Sequence, residues 1–101
     1  MFAVTRFRAT GDDAAALAAA VPPLLAALGA RPGFQGGELG QAADDPDLWA
    51  LVTRWDGVGS YRRALSAAEV KISGAPVWVH AVDEPGVYLP HDDVAGAGDH
   101  A

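Results

Sequence analysis

Cysteine is absent from the 101 residues, which excludes disulfides, thiolate metal sites and a cysteine nucleophile, and fits a reducing cytoplasm. Positive charge is scarce: seven Lys and Arg stand against 13 acidic residues, a formal charge of −6. That balance offers no phosphate-binding surface, so no nucleic-acid partner is expected. His91 and His100 fall near the end of the chain and, with His80, show no spacing that reads as a metal site. The apolar run Ala14 to Leu28 is too short to span a bilayer, and Pro22 and Pro23 interrupt it. Arg6 and Arg8 precede that run, and Leu28-Gly29-Ala30 imitates a cleavage site, but Asp12 and Asp13 stand where an export signal stays positive. The expectation is a cytoplasmic protein with no membrane partner. What the chain does have is apolar residues, half of the total. They suffice for the core of one domain, small enough that self-association would help bury its surface.

Phe2 to Arg8 alternates as a strand with apolar groups on both faces. Gly11 ends it, and Asp12 or Asp13 can accept from the free N–H groups that open a helix. Leu17, Val21, Leu24 and Leu28 then recur on one helical face. Pro22 and Pro23 each remove an N–H donor, which predicts a kink or two short helices. Phe34 to Ala42 reads as a second strand, rich in glycine at Gly36, Gly37 and Gly40. Such glycines mark a bulge, a close approach of ligand or backbone, or a loosely specified edge strand. Asp44, Asp45 and Pro46 form a turn into a third strand, Asp47 to Trp55.

The third strand sets Leu48, Ala50 and Val52 against Trp49, Leu51, Thr53 and Trp55, so neither face suits water. A strand apolar on both sides needs a cover for each face. Helices supply one; a second copy of the chain is the economical source of the other. Asp56 is placed to cap a helix whose apolar face is Val58, Tyr61, Leu65, Ala68 and Ile72. Arg62, Arg63, Glu69 and Lys71 fall on its wet side, and Gly74 and Pro76 stop it. Pro76 to Glu84 then alternates as a fourth strand containing His80, with a brief extension through Val87, Tyr88 and Leu89. The predicted order is that of an α+β, ferredoxin-like split βαβ fold: a four-stranded antiparallel sheet with both helices on one face. Residues 1–89 form the domain and 90–101 a loose tail.

Several words of the sequence, Arg31-Pro32-Gly33-Phe34-Gln35-Gly36-Gly37-Glu38-Leu39, Asp44-Asp45-Pro46-Asp47-Leu48-Trp49, Leu51-Val52-Thr53-Arg54-Trp55, Ser60-Tyr61-Arg62-Arg63-Ala64-Leu65 and Asp83-Glu84-Pro85, resemble the antibiotic biosynthesis monooxygenase family, in particular its actinobacterial members. The resemblance covers about residues 1–88. It implies a homodimer in which the sheets of two subunits face each other as a dimeric α+β barrel, with a pocket in each subunit between sheet and helices. It also implies cofactor-free oxidation of an aromatic, polyketide-like molecule, or non-enzymatic binding of such a ligand. A haem-degrading activity is disfavoured, because the asparagine and helix histidine typical of that branch are missing: the chain has no asparagine, and Val58 to Ser73 has no histidine.

On that resemblance Trp55 and Tyr61 match the aromatic and hydroxyl pair that lines the pocket of quinone-forming members. The alternative for both is core packing with a satisfied N–H and O–H. His80 is a candidate general base or a hydrogen-bonded structural residue. Arg54, Phe34, Gly36, Leu65 and Trp78 are the expected substrate-binding residues, although Arg54 and Trp55, as strand neighbours, should point to opposite faces. No metal site and no cofactor are expected.

Overall fold

The computed structural model describes residues 1–91; most of the predicted tail lies outside the described residues. The chain runs β1 (Phe2–Arg8), α1 (Gly11–Gly29), β2 (Phe34–Ala42), β3 (Asp45–Trp55), α2 (Val58–Ser66), α3 (Ala68–Trp78) and β4 (Val87–Tyr88). The strands form one antiparallel sheet in the order β2-β3-β1-β4, which is the ferredoxin-like arrangement. Side-chain alternation places the sheet's two faces in different surroundings. Ala3 and Phe7 on β1, and Leu51, Thr53 and Trp55 on β3, are buried; Phe7, Leu51 and Trp55 share one core cluster with Leu17, Val21, Leu24 and Leu28 of α1 and Val70 and Val77 of α3. The other face presents Phe2, Val4, Arg6 and Arg8 beside their cross-strand partners Arg54, Val52, Ala50 and Leu48. None of these eight is buried.

α1 is one continuous helix through Pro22 and Pro23, not the predicted pair. An internal proline costs about 3 kcal/mol, but each buried Leu or Val gains about 1.5–3 kcal/mol. Leu17 and Val21 before the prolines, and Leu24 and Leu28 after them, anchor both halves to the sheet, while the proline rings stay exposed. At 19 residues α1 is long and apolar enough to cross a membrane by length and composition, more than the short run Ala14 to Leu28 foretold. Its large apolar side chains are nonetheless core residues. Asp12 and Asp13 lie inside its first turn, where their charge suits the helix dipole, and Thr10 ahead of them makes no side-chain cap.

Two of the glycine readings hold in β2. The register shifts between Phe34 and Gly36, and Gly36 has φ 145°, so the strand bulges there. The extra residue brings Gly37 opposite Thr53 as Phe34 is opposite Trp55, so both face the helix layer. A Cβ on Gly37 would stand 3.0 Å from Leu25 Cδ2; the glycine lets α1 lie close on the strand.

The second half departs further from expectation. The predicted single helix from Val58 breaks at Ala67, whose ψ is 137°, and the apolar phase changes across the break. Ile72, assigned to the apolar face, is 75% exposed, whereas Val70, Gly74 and Val77 are buried. Gly74 and Pro76 therefore do not stop the helix: α3 continues to Trp78. Nor does Asp56 cap α2, which starts behind Gly57 without a side-chain cap. The predicted strand from Pro76 is corrected accordingly. His80 sits in the turn after α3, and only Ala81 bridges to Phe7. From there the chain follows β1 through Val82 N–H to Arg6 O (2.8 Å) and Val4 N–H to Gly86 O (2.7 Å). A bidentate Arg6–Glu84 pair, at 2.6 and 2.7 Å, holds the segment between them.

Candidate functional site

On the helix-facing side of β1, Thr5 is only half buried although Ala3 and Phe7 on either side of it are fully buried. The helix layer has a gap above it. The gap lies where the helix layer passes from α2 to α3 through the break at Ala67. A cavity of about 500 Å³ results, lined by Thr5, Tyr61, Leu65, Val70, Lys71, Ala75 and Trp78. Tyr61 and Leu65 are one turn apart on α2. Lys71, Ala75 and Trp78 repeat at helical spacing along one face of α3. The volume lies in the range that takes a drug-sized ligand.

The walls are backed by aromatic packing. Trp78 stacks on Phe7 with centroids 6.3 Å apart, and Tyr61 tilts against Trp55 at 5.6 Å. Trp55 in turn meets Phe34 edge-on at 5.2 Å and donates its Nε1–H to Thr53 Oγ1 at 2.9 Å. These rings hold the cavity lining at low conformational freedom. The polar groups available to a ligand are the Thr5 and Tyr61 hydroxyls, the Trp78 indole N–H and the Lys71 ammonium. Burial raises the Tyr61 pKa above its ordinary 10.0, so the phenol stays neutral and keeps its proton for donation to a ligand. Lys71 is the only lysine in the chain and is exposed, which puts a positive charge at the cavity mouth. The lining contains no histidine and no carboxylate. Among the described residues no cluster of three or more His, Cys, Asp or Glu could hold a metal ion.

Of the residues singled out in the sequence, Tyr61, Leu65 and Trp78 come together here. Trp55 is 1% exposed and lies behind Tyr61 rather than in the lining. Phe34 packs on Trp55, Gly36 forms the bulge, and exposed Arg54 sits beside Phe2 on the opposite face of the sheet. His80 does not reach the cavity. Its backbone N–H bonds to Val77 O and its carbonyl accepts from Arg8 N–H, which fixes the turn. Thr5, Val70, Lys71 and Ala75 were not foreseen. The signal for three of them was the helical spacing of α3, hidden by carrying the apolar phase of α2 past Ala67 and stopping the helix at Gly74.

Gly74 shapes the cavity without lining it. A Cβ there would run into the Trp78 indole Nε1. Gly74→Ala gains about 1 kcal/mol in helix propensity but overpacks a contact, which costs about 1–3 kcal/mol. The expected result is a net loss of up to about 2 kcal/mol in urea unfolding, with the Trp78 ring displaced into the cavity. An unchanged or raised stability would show that the indole moves aside freely.

The profile of the antibiotic biosynthesis monooxygenase family matches residues 1–71. Among solved structures, SnoaB, a cofactor-independent oxygenase from Streptomyces nogalater, superimposes with a TM-score of 0.77 at 20% identity, covering 89% of this chain and 91% of that one. A protein of Mycobacterium tuberculosis gives 0.73 at 19% identity, with 90% and 94% coverage. A conserved protein of Methanosarcina mazei gives 0.72 at 12%, with 85% and 84%. No functionally curated protein matches the sequence. The structural likenesses establish the fold, and the profile match spans well over half of the residues that build it. By fold and sequence together, the chain belongs to the antibiotic biosynthesis monooxygenase family.

Proposed function

We propose that the protein is a cofactor-independent monooxygenase that oxidises an aromatic, polyketide-like small molecule in the cavity between β1, α2 and α3. The observation that carries this reading is the cavity's composition: an apolar, aromatic-walled space with one neutral phenol donor and one cation at its mouth. Such a lining suits a planar substrate that ionises to a phenolate or enolate. Tyr61 O–H and Lys71 would stabilise the anion, and the surrounding Leu65, Val70 and Trp78 would keep water from it. The anion transfers one electron to O₂; the substrate radical and superoxide recombine to form a C–O bond. The resulting hydroperoxide loses water, its O–O bond breaking as the remaining C–H proton leaves. One oxygen atom ends in a quinone carbonyl and the other in water.

The absence of a base from the lining favours a second reading, a small-molecule-binding protein of the same fold. Oxygen uptake separates the two. With anthrone-type phenols the expected result is stoichiometric O₂ consumption and quinone formation by the purified protein. Saturable binding without oxygen uptake over a broad panel would select the binding protein instead.

The working form is a cytoplasmic homodimer. The sheet face that no helix among the described residues covers carries Phe2, Val4, Leu48, Ala50 and Val52 among its charged residues, and Phe2 stacks on exposed Tyr88 at 5.5 Å. A second copy presents the same strip and would cover it. Sedimentation equilibrium at micromolar concentration should give twice the 10.4 kDa chain mass, and Val52→Asp should shift the protein to monomer. A wild-type species of single-chain mass would remove the dimer from the account.

A further inference from the structure

The protein is acidic overall, yet three of its six arginines line one cleft. Arg31, Arg62, Arg63, Ser66 and Ala67 border a space of about 480 Å³, formed by the turn after α1 and the end of α2. It shares no lining residue with the cavity described above. Among the described residues the only ion pairs are Arg6–Glu84 and Arg8–Asp45, so none of the three guanidinium groups has a carboxylate partner. Glu69, the nearest acidic residue along the chain to Ala67, borders a different groove, with Pro23 and Ile72. Asp56 packs near Ser60 and Gly33 without pairing to Arg63.

Arg31 is partly buried, and its Nε, closed off from solvent, has no hydrogen-bond partner among the described residues. The Arg31 backbone is fixed on both sides, its N–H bonded to Leu28 O at 3.0 Å and its carbonyl accepting from Phe34 N–H at 3.3 Å. Arg63 donates to Ser60 Oγ at 3.3 Å, and Ser66 Oγ–H is turned onto Arg62 O at 3.1 Å. The three side chains border one space whose lining holds no carboxylate, and an anion bound there would offset their mutual repulsion.

We propose that this cleft binds the phosphoryl group of a small anionic ligand. Three guanidinium groups offer forked N–H donors that match a multiply charged tetrahedral oxyanion. The rest of the surface selects the size of the ligand. With a net charge of −6, the protein repels an extended polyanion such as nucleic acid or an anionic bilayer, whereas a compact anion meets only the arginines.

The test is calorimetric titration of the intact protein with inorganic pyrophosphate at low ionic strength, with citrate as the carboxylate comparison. The expected result is saturable binding at one site per chain with a Kd of about 1 mM or tighter. It should weaken at least tenfold in the Arg62→Gln/Arg63→Gln double variant, with each single variant in between. Both residues are exposed, so the circular dichroism spectrum and melting temperature should stay those of the wild type, as should oxygen uptake. No saturable heat, equal affinity in the double variant, or tighter binding of citrate than of pyrophosphate would each overturn the proposal.

Discussion

Trp55→Ala is expected to lower stability by about 3–5 kcal/mol, the range for removing a large aromatic from a packed core. Trp55 is the largest fully buried side chain, and two other rings rest on it, Phe34 and Tyr61. Truncation removes both contacts and leaves Thr53 Oγ1 buried without its indole donor. Small domains are stable by about 5–15 kcal/mol in total, so the loss is a large part of what the chain has. Urea unfolding measures it. Trp55→Phe should keep most of the ring packing and lose mainly the Nε1–Thr53 bond, worth about 0.5–1.5 kcal/mol. A stable Trp55→Ala protein that had lost only ligand turnover would instead return Trp55 to a direct catalytic role.

Lys71→Met is expected to reduce the rate of substrate oxidation roughly 10- to 100-fold, with little change in stability. Removing a buried donor to a developing oxyanion costs about 100- to 1,000-fold. The smaller figure follows from exposure, since water and salt screen a charge at a cavity mouth. The methionine stem keeps much of the apolar contact, so the experiment isolates the charge. Tyr61→Phe should act in the same direction through loss of the phenol donor. Because burial holds Tyr61 neutral past its ordinary pKa of 10.0, its contribution should be constant through neutral pH and be lost only in strong alkali. Single-turnover oxygen uptake separates these effects on chemistry from effects on binding. A Lys71→Met protein with wild-type turnover would leave the lysine no part in the reaction.

Strands β1, β2 and β3 were legible because two-residue alternation and glycine placement are local signals. The buried stripe of α1 was equally plain, yet its continuity was not, since proline propensity is local and the anchoring of Val21 and Leu24 is tertiary. The same asymmetry explains the larger miss. Residues 68–78 carry Gly74 and Pro76, both helix breakers by propensity, but Val70, Gly74 and Val77 form a buried stripe that holds them helical. Reading Pro76 onward as a strand puts His80 in the sheet, and carrying the α2 phase past Ala67 puts Lys71 on the wet side, so the face shared by Lys71, Ala75 and Trp78 is hidden. Tyr61 and Leu65 were found because α2 is regular and lies within a recognisable word of the sequence. Lys71 reads as a solvated charge on a helix unbroken from Val58; with the break at Ala67 it lines the cavity with Thr5 and Tyr61, a long-range proximity that no local pattern carries.

The central claim is that this cavity binds an aromatic hydroxyl compound and stabilises its anion. Spectrophotometric titration of a bound hydroxyanthraquinone, which is already oxidised and cannot turn over, tests both halves at once. The account predicts that the bound phenol ionises at lower pH than the free compound and that Lys71→Met reverses most of the shift. A bound phenol that ionises at the same or higher pH, or a shift that survives Lys71→Met, would contradict it.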